Sequence, residues 1–273
     1  MAHGFSAVKE MRLDRYAEVL REAGLAVLVY DHRNFGSSDG EPRQEINPWA
    51  QARDYRHALT WLGNRPEVDA DRLGIWGSSY SGGHVMVVGA CDQRVKAVVA
   101  NVPFAGLSAV GYDDASDVDE RFGRLRDALM DESGNGPADR ADQPMGPMAV
   151  VTEEGDDRLV FLAHPEAAEY FLRFGEHGAE PTTWRNDVTV VSMLSDPVWD
   201  PGVCAAHIAP TPLMMVVATH DHLADTAVAV AAFDRAGEPK ELVMVQGHHF
   251  VPYEDEGFAL ASGAAARFFT RHL

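Results

Sequence analysis

Apolar residues recur at helical spacing through "KEMRLDRYAEVLREA" (9–23), at Met11, Leu13, Tyr16, Val19 and Leu20, and Gly24 stands where such a helix would end. "LAVLVY" (25–30) then drops the helical period for a short continuous apolar run, the mark of a strand buried on both faces. "DHRNFGSSDGEP" (31–42) is turn chemistry, read as a hydrogen-bonded loop with Arg33 and Asp39 as its partners. A helix is predicted from Pro48 to Gly63 with Trp49, Ala52, Tyr55, Leu59 and Leu62 facing inward. Strand-like runs follow at 72–77, 95–101, 211–219 and 240–247, with helices predicted on "GHVMVVGA" (83–90), over 224–236 and over 254–272. Strands alternating with helices predict an α/β fold, a mostly parallel sheet covered on both faces.

The rhythm fails between Phe104 and Pro210, which is acidic near 113–120, loop-like at 133–147, helix-like at 165–178 and offers one strand-like run, "VTVVS". With no flexible linker at either end, it reads as an insertion over the sheet. The expected organisation is a core of 1–103 and 211–273 with a mainly helical cap or lid at 104–210.

Charge narrows the partners. With 42 acidic against 23 basic residues the formal net charge is −19, which repels nucleic-acid phosphates and anionic membranes alike. No apolar run reaches the roughly 18 residues of a membrane span. Two cysteines, Cys91 and Cys204, make neither a disulfide framework nor a C-x-x-C pair, which fits a reducing, cytoplasmic setting. The expected partner is a small molecule, with homo-oligomerisation left open.

The chemistry gathers at "GIWGSSYSGGH" (74–84). A strand runs in and a helix runs out, so the residue at the tight turn, Ser79, is pushed out above the sheet; Ser78 and Ser81 should point sideways or inward. The fifth place of the G-x-S-x-G pattern holds Ser81 rather than glycine. A serine needs a base, and the base needs a carboxylate to orient it. "ATHDHLAD" follows one predicted strand and "QGHHF" another, both at strand ends where parallel sheets place their ligand crevice. The order Ser79, Asp221, His249 results, with His249 weighed against its neighbour His248. Asp221 is preferred over Asp225, which suits a helix cap, and over Asp196 and Asp200. Oxyanion donors are expected at the amides of Tyr80, next to the nucleophile, and Phe5 in "HGFS". His84 reads as a packing histidine.

These segments, with "MAHGF", "YDHRNFGSSDGEPRQEINPWAQARDY", "PTPLMMVVATHDHLADTAVAVAAF" and "EPKELVMVQGHHFVPY", resemble the α/β-hydrolases of the dienelactone-hydrolase-like kind, and within them hydrolases akin to fungal polyketide transferases. X-prolyl-peptidase hydrolases share a similar serine–tyrosine turn at greater distance. The resemblance implies that serine at position 81 is a family trait, that Asp221 is the acid, and that "GGHF" falls on 247–250, making His249 the base and His248 a departure from glycine. It also implies interior strands ahead of "HG", yet Met1 stands two residues before that dipeptide. The expectation is a chain N-terminally incomplete, or a gap filled by a partner chain or a rearranged sheet.

A serine hydrolase cleaving a small ester or thioester is therefore expected, with no cofactor or metal and with acyl transfer to an alcohol as the nearest rival. Trp184, Trp199, Met145, Met148 and Phe171 of the insertion could line an acyl pocket, and they suit plain core equally well. Two further rivals are a metal protein built on His220, His222, His248 and His249, and a non-catalytic protein that keeps the fold.

Overall fold

The computed structural model describes residues 1–106, 147–152, 160–190, 192 and 199–273. Met145, Asp196 and the acidic stretch near 113–120 lie outside the described residues. Among those described, four parallel strands form one sheet in the order β1 (Leu73–Ser78), β2 (Val95–Asn101), β3 (Leu213–Ala218), β4 (Lys240–Val245). Burial follows position in the sheet. β3, flanked on both sides, is buried at every residue, while β4, last in the order, is only half-buried and leaves Met244 39% exposed.

The helices are α1 (Leu13–Glu22), α2 (Pro48–Gly63), α3 (Tyr80–Cys91), α4 (Pro165–Phe174), α5 (Thr226–Arg235) and α6 (Asp255–His272). Asn47 caps α2, its side chain accepting from the Ala50 amide, with Pro48 at the first helical position. α3 packs on β1 and β2 and against α2, whereas α6 packs on β2, β3 and β4 and against α1. Cys91 and Cys204 are both free thiols, and none of the described helices is long and apolar enough to cross a membrane.

Several expectations change. Residues 25–30 form no strand; Tyr30 alone makes a bridge, to Ala2, which bridges Gly77 on its other side. Beyond Ala2 the Met1 amino group donates to Leu28 O at 2.7 Å, and Leu25–Val27 and Leu73–Ile75 line one crevice there. Burial lowers the Met1 ammonium to about 5. "VTVVS" likewise contributes only one antiparallel bridge, Val188 to Met148. Trp49 is 48% exposed, set edge-on against the buried Trp199. Arg33 pairs with Asp54 of α2 rather than with Asp39. Asp31 is the hub of the 31–42 loop instead, accepting from the Lys9 amide and ammonium and from Ser37.

Candidate active site

β1 ends at Ser78, and the chain turns at Ser79 with φ 56° and ψ −118°, a left-handed conformation rare for a residue with a side chain. The surroundings hold that strain in place. The Ser79 amide donates to Asn101 O at 2.8 Å, and Ser79 O accepts from Gly82 and Phe104. Gly77 is required by contact, because a Cβ there would stand 2.1 Å from Ser81 O. Ser78 and Ser81 are both fully buried. Ser78 bonds the Tyr253 hydroxyl and accepts from Asn101 Nδ2, which ties the turn to the segment before α6.

Asp221 and His249 arrive on loops stitched to each other. Thr219 N donates to Val245 O and His220 N to Gly247 O, both at 2.9 Å, while Gly247 N donates to Thr219 Oγ1. These bonds continue the β3–β4 pairing past the strand ends. Asp221 Oδ1 accepts from the Leu223 and Ala224 amides, which leaves Oδ2 for His249 Nδ1 at 2.6 Å. His249 Nε2 lies 2.9 Å from Ser79 Oγ. A carboxylate only accepts, so the neutral imidazole carries its proton on Nδ1 and offers Nε2 as acceptor to the serine hydroxyl. Asp225 caps α5, accepting from the Ala227 and Val228 amides. His248 is turned outward and 46% exposed, its Nδ1 accepting from the Phe250 amide at 3.2 Å.

The 3–5 segment lies directly over the turn. A Cβ on Gly4 would stand 2.7 Å from Ser79 Cβ and 3.2 Å from its Oγ, so only glycine lets the backbone come this close. Behind the turn, Ser81 Oγ donates to His3 O and meets His32 Nε2 at 2.7 Å and His84 Nδ1 at 3.1 Å. Ser81 thus fastens the His3–Gly4 backbone to the helix start. His84 is fully buried, and burial lowers its imidazole to about 3.

A cavity of about 120 Å³ opens in front of Ser79 and His249. Phe171 lines it, together with Phe5, Phe161, Leu162 and Leu223. The other pocket candidates that the structure describes sit elsewhere. Trp184 is buried behind Phe171 with ring centroids 5.3 Å apart, and Trp199 is buried against His84 at 5.2 Å, behind the Tyr80 side of the turn. Met148 is buried at its bridge to Val188. Phe161 and Leu162 escaped the sequence reading because no periodic pattern marks an irregular segment; Leu223 was legible only as a neighbour of Asp221.

The profile of the X-Pro dipeptidyl-peptidase (S15) family matches residues 5–251. A thiohydrolase of Aspergillus aculeatus is 29% identical over 253 residues, 91% of this chain and 77% of that protein. A polyketide transferase of Aspergillus fumigatus is 28% identical over 277 residues, covering all of this chain and 89% of that protein. Among solved structures, an α/β-hydrolase from a Penicillium species superposes with a TM-score of 0.79 at 27% identity, covering the whole of this chain and 88% of that one. Fold and sequence agree: this chain is an α/β-hydrolase and belongs to the X-Pro dipeptidyl-peptidase (S15) family.

Proposed function

We propose that the protein is a serine hydrolase cleaving esters or thioesters of small apolar acyl compounds through an acyl-enzyme. The observation that carries this reading is the hydrogen-bonded line Ser79–His249–Asp221 opening onto the apolar cavity. Ser79 Oγ attacks the carbonyl carbon as His249 Nε2 takes its proton. Asp221 holds the imidazole tautomer and stabilises the imidazolium. The amides of Phe5 and Tyr80 bind the oxyanion, each donor contributing about 2.7–4 kcal/mol to the transition state. Collapse expels the alcohol or thiol, protonated by His249. Water then attacks the acyl group, gives its proton to His249, and restores Ser79.

The cavity wall argues for the substrate class. An N-terminal dipeptide, the fragment an X-Pro dipeptidyl-peptidase releases, brings an ammonium; the described wall offers mainly aromatic and aliphatic surface, which suits an uncharged acyl chain. The 104–210 insertion, whose Phe161, Leu162, Tyr170 and Phe171 form part of that wall, acts as the cap that selects the acyl group. Transfer to an alcohol is the second reading. It is favoured by the similarity to a polyketide transferase, since it needs the same residues and only the exclusion of water.

The test is labelling with a fluorophosphonate followed by peptide mapping, alongside turnover of nitrophenyl esters and acyl thioesters of graded chain length. One modified residue, Ser79, is expected, with labelling and turnover both lost in Ser79→Ala. Label that persists in the folded variant, or turnover that survives it, would overturn the reading.

A further inference from the structure

Beside the reacting line, three histidines and one carboxylate meet at the rim. His164 immediately precedes α4 and Glu166 lies in its first turn. His222 follows Asp221, and His248 precedes His249. One donor atom each from His164, Glu166 and His222 lies within 4.8 Å of the others. The His164 and His222 rings stack with centroids 5.0 Å apart at 24°. Glu166 Oε1 stands 3.7 Å from His164 Nδ1, and its Oε2 stands 3.7 Å from His248 Nδ1. Both separations exceed a hydrogen bond. Consistently, His164 Nδ1 and Glu166 Oε2 are buried with no hydrogen-bond partner among the described residues. These two atoms, in one cluster with His222, are available to a ligand.

We propose that His164, Glu166 and His222 bind a divalent transition-metal ion of the zinc type. Two imidazole nitrogens and a carboxylate oxygen form a three-ligand set with room for water in the fourth position. Bonds of about 2.0–2.2 Å would draw the donors to about 3.4 Å apart in a tetrahedral site. His222, on an exposed loop, has the freedom to make that movement. His248 is a neighbour rather than a ligand, because its Nδ1 already accepts from the Phe250 amide. The net charge of −19 raises the local cation concentration.

The consequence is mechanical. His164 and Glu166 sit on the segment that supplies Phe161, Leu162, Tyr170 and Phe171 to the cavity wall, and His222 precedes Leu223 in the opposite wall. A bound ion clamps the insertion to the Asp221 loop and sets the width of the acyl cavity. It takes no part in the Ser79 chemistry.

Isothermal titration of the purified, chelator-treated protein with ZnCl2 tests this without any assay of turnover. One Zn²⁺ per chain is expected, with a Kd on the order of 1 μM and a raised Tm. His164→Ala and His222→Ala should each weaken binding at least ten-fold and remove the Tm shift. Circular dichroism checks that the variants fold; should His164→Ala fail, the exposed His222→Ala decides. Absence of binding to the wild type, binding unchanged in the folded variants, or binding lost only in His249→Ala would overturn the site.

Discussion

Two serine–histidine clusters stand back to back on the turn at 78–84, and proton placement separates them. In front, His249 Nδ1 donates to Asp221, so Nε2 is left to accept from Ser79 at 2.9 Å. Behind, Ser81 gives its single proton to His3 O, so its lone pairs must accept from His32 Nε2–H at 2.7 Å and His84 Nδ1–H at 3.1 Å. Those two rings point protons at the serine and cannot take one from it. Their far nitrogens, His32 Nδ1 and His84 Nε2, have no partner among the described residues, and no carboxylate fixes the opposite tautomer. A short Ser–His contact is therefore no sign of a nucleophile. The group on the other side of the imidazole decides whether the serine is activated or held.

The largest test converts the front cluster into a copy of the back one. In Asp221→Asn the Oδ1 acceptor can keep its bonds to the Leu223 and Ala224 amides, while the amide NH₂ faces His249 Nδ1. The imidazole must then accept at Nδ1 and carry its proton on Nε2, toward Ser79. We expect kcat on an acyl ester to fall about 10⁴-fold with the fold intact. A loss below ten-fold would show that tautomer control is not what distinguishes the clusters.

Much of this arrangement was legible before any coordinates. The strand–turn–helix around Ser79 and the two strand ends carrying Asp221 and His249 could be read because buried parallel strands are near-continuous apolar runs bounded by turn residues. The runs at 95–101 and 240–247 lie on β2 and β4 to within two residues. What could not be read depends on partners distant in the chain. "LAVLVY" has strand composition, but a strand needs a partner along its length, and among the described residues this one is met only at its end, by Met1 and Ala2. Trp184 and Trp199 look like pocket residues because large aromatics suit cavities and cores alike; the packing of Phe171 and His84 puts them behind the wall. Ser81's hold on His3 spans 78 residues, so no local pattern could carry it.

The back cluster also sets an acid limit. Burial lowers the imidazoles of His3, His32 and His84, and for His3 it outweighs the Asp31 carboxylate 3.9 Å away. With folded-state values below the ordinary 6.5, the unfolded chain takes up protons first as pH falls. Stability is therefore complete above about pH 6.5 and declines below it, by up to about 1.4 kcal/mol per pH unit for each histidine. Asp92, whose carboxyl the Arg94 guanidinium holds below the usual carboxylate range, adds its loss only at more acidic pH, below about 4. Urea midpoints should hold from pH 7.5 to about 6.5 and then fall steadily to pH 5; a profile flat throughout would mean that the three rings are not held neutral.

The smallest effect sharpens the comparison most. Ser81→Ala removes the acceptor that, among the described residues, faces His32 Nε2–H and His84 Nδ1–H, and the donor to His3 O, all in a fully buried place. Stranded groups of this kind cost about 1–3 kcal/mol each where nothing replaces the partner, and some relaxation onto one another is expected, so the net loss should be about 1–3 kcal/mol by urea unfolding. His3 O is one residue from Gly4, whose backbone lies against Ser79, so the Phe5 amide loses part of its anchorage. We expect kcat to drop about ten-fold, less than the loss of a whole oxyanion donor, because the Phe5 amide, proposed above to bind the oxyanion, is displaced rather than deleted. Labelling of Ser79 by a fluorophosphonate should persist at a reduced rate. A kcat loss matching that of Asp221→Asn would place Ser81 within the chemistry, while unchanged kcat and stability would show that the back cluster neither braces the fold nor holds the 3–5 segment over the turn.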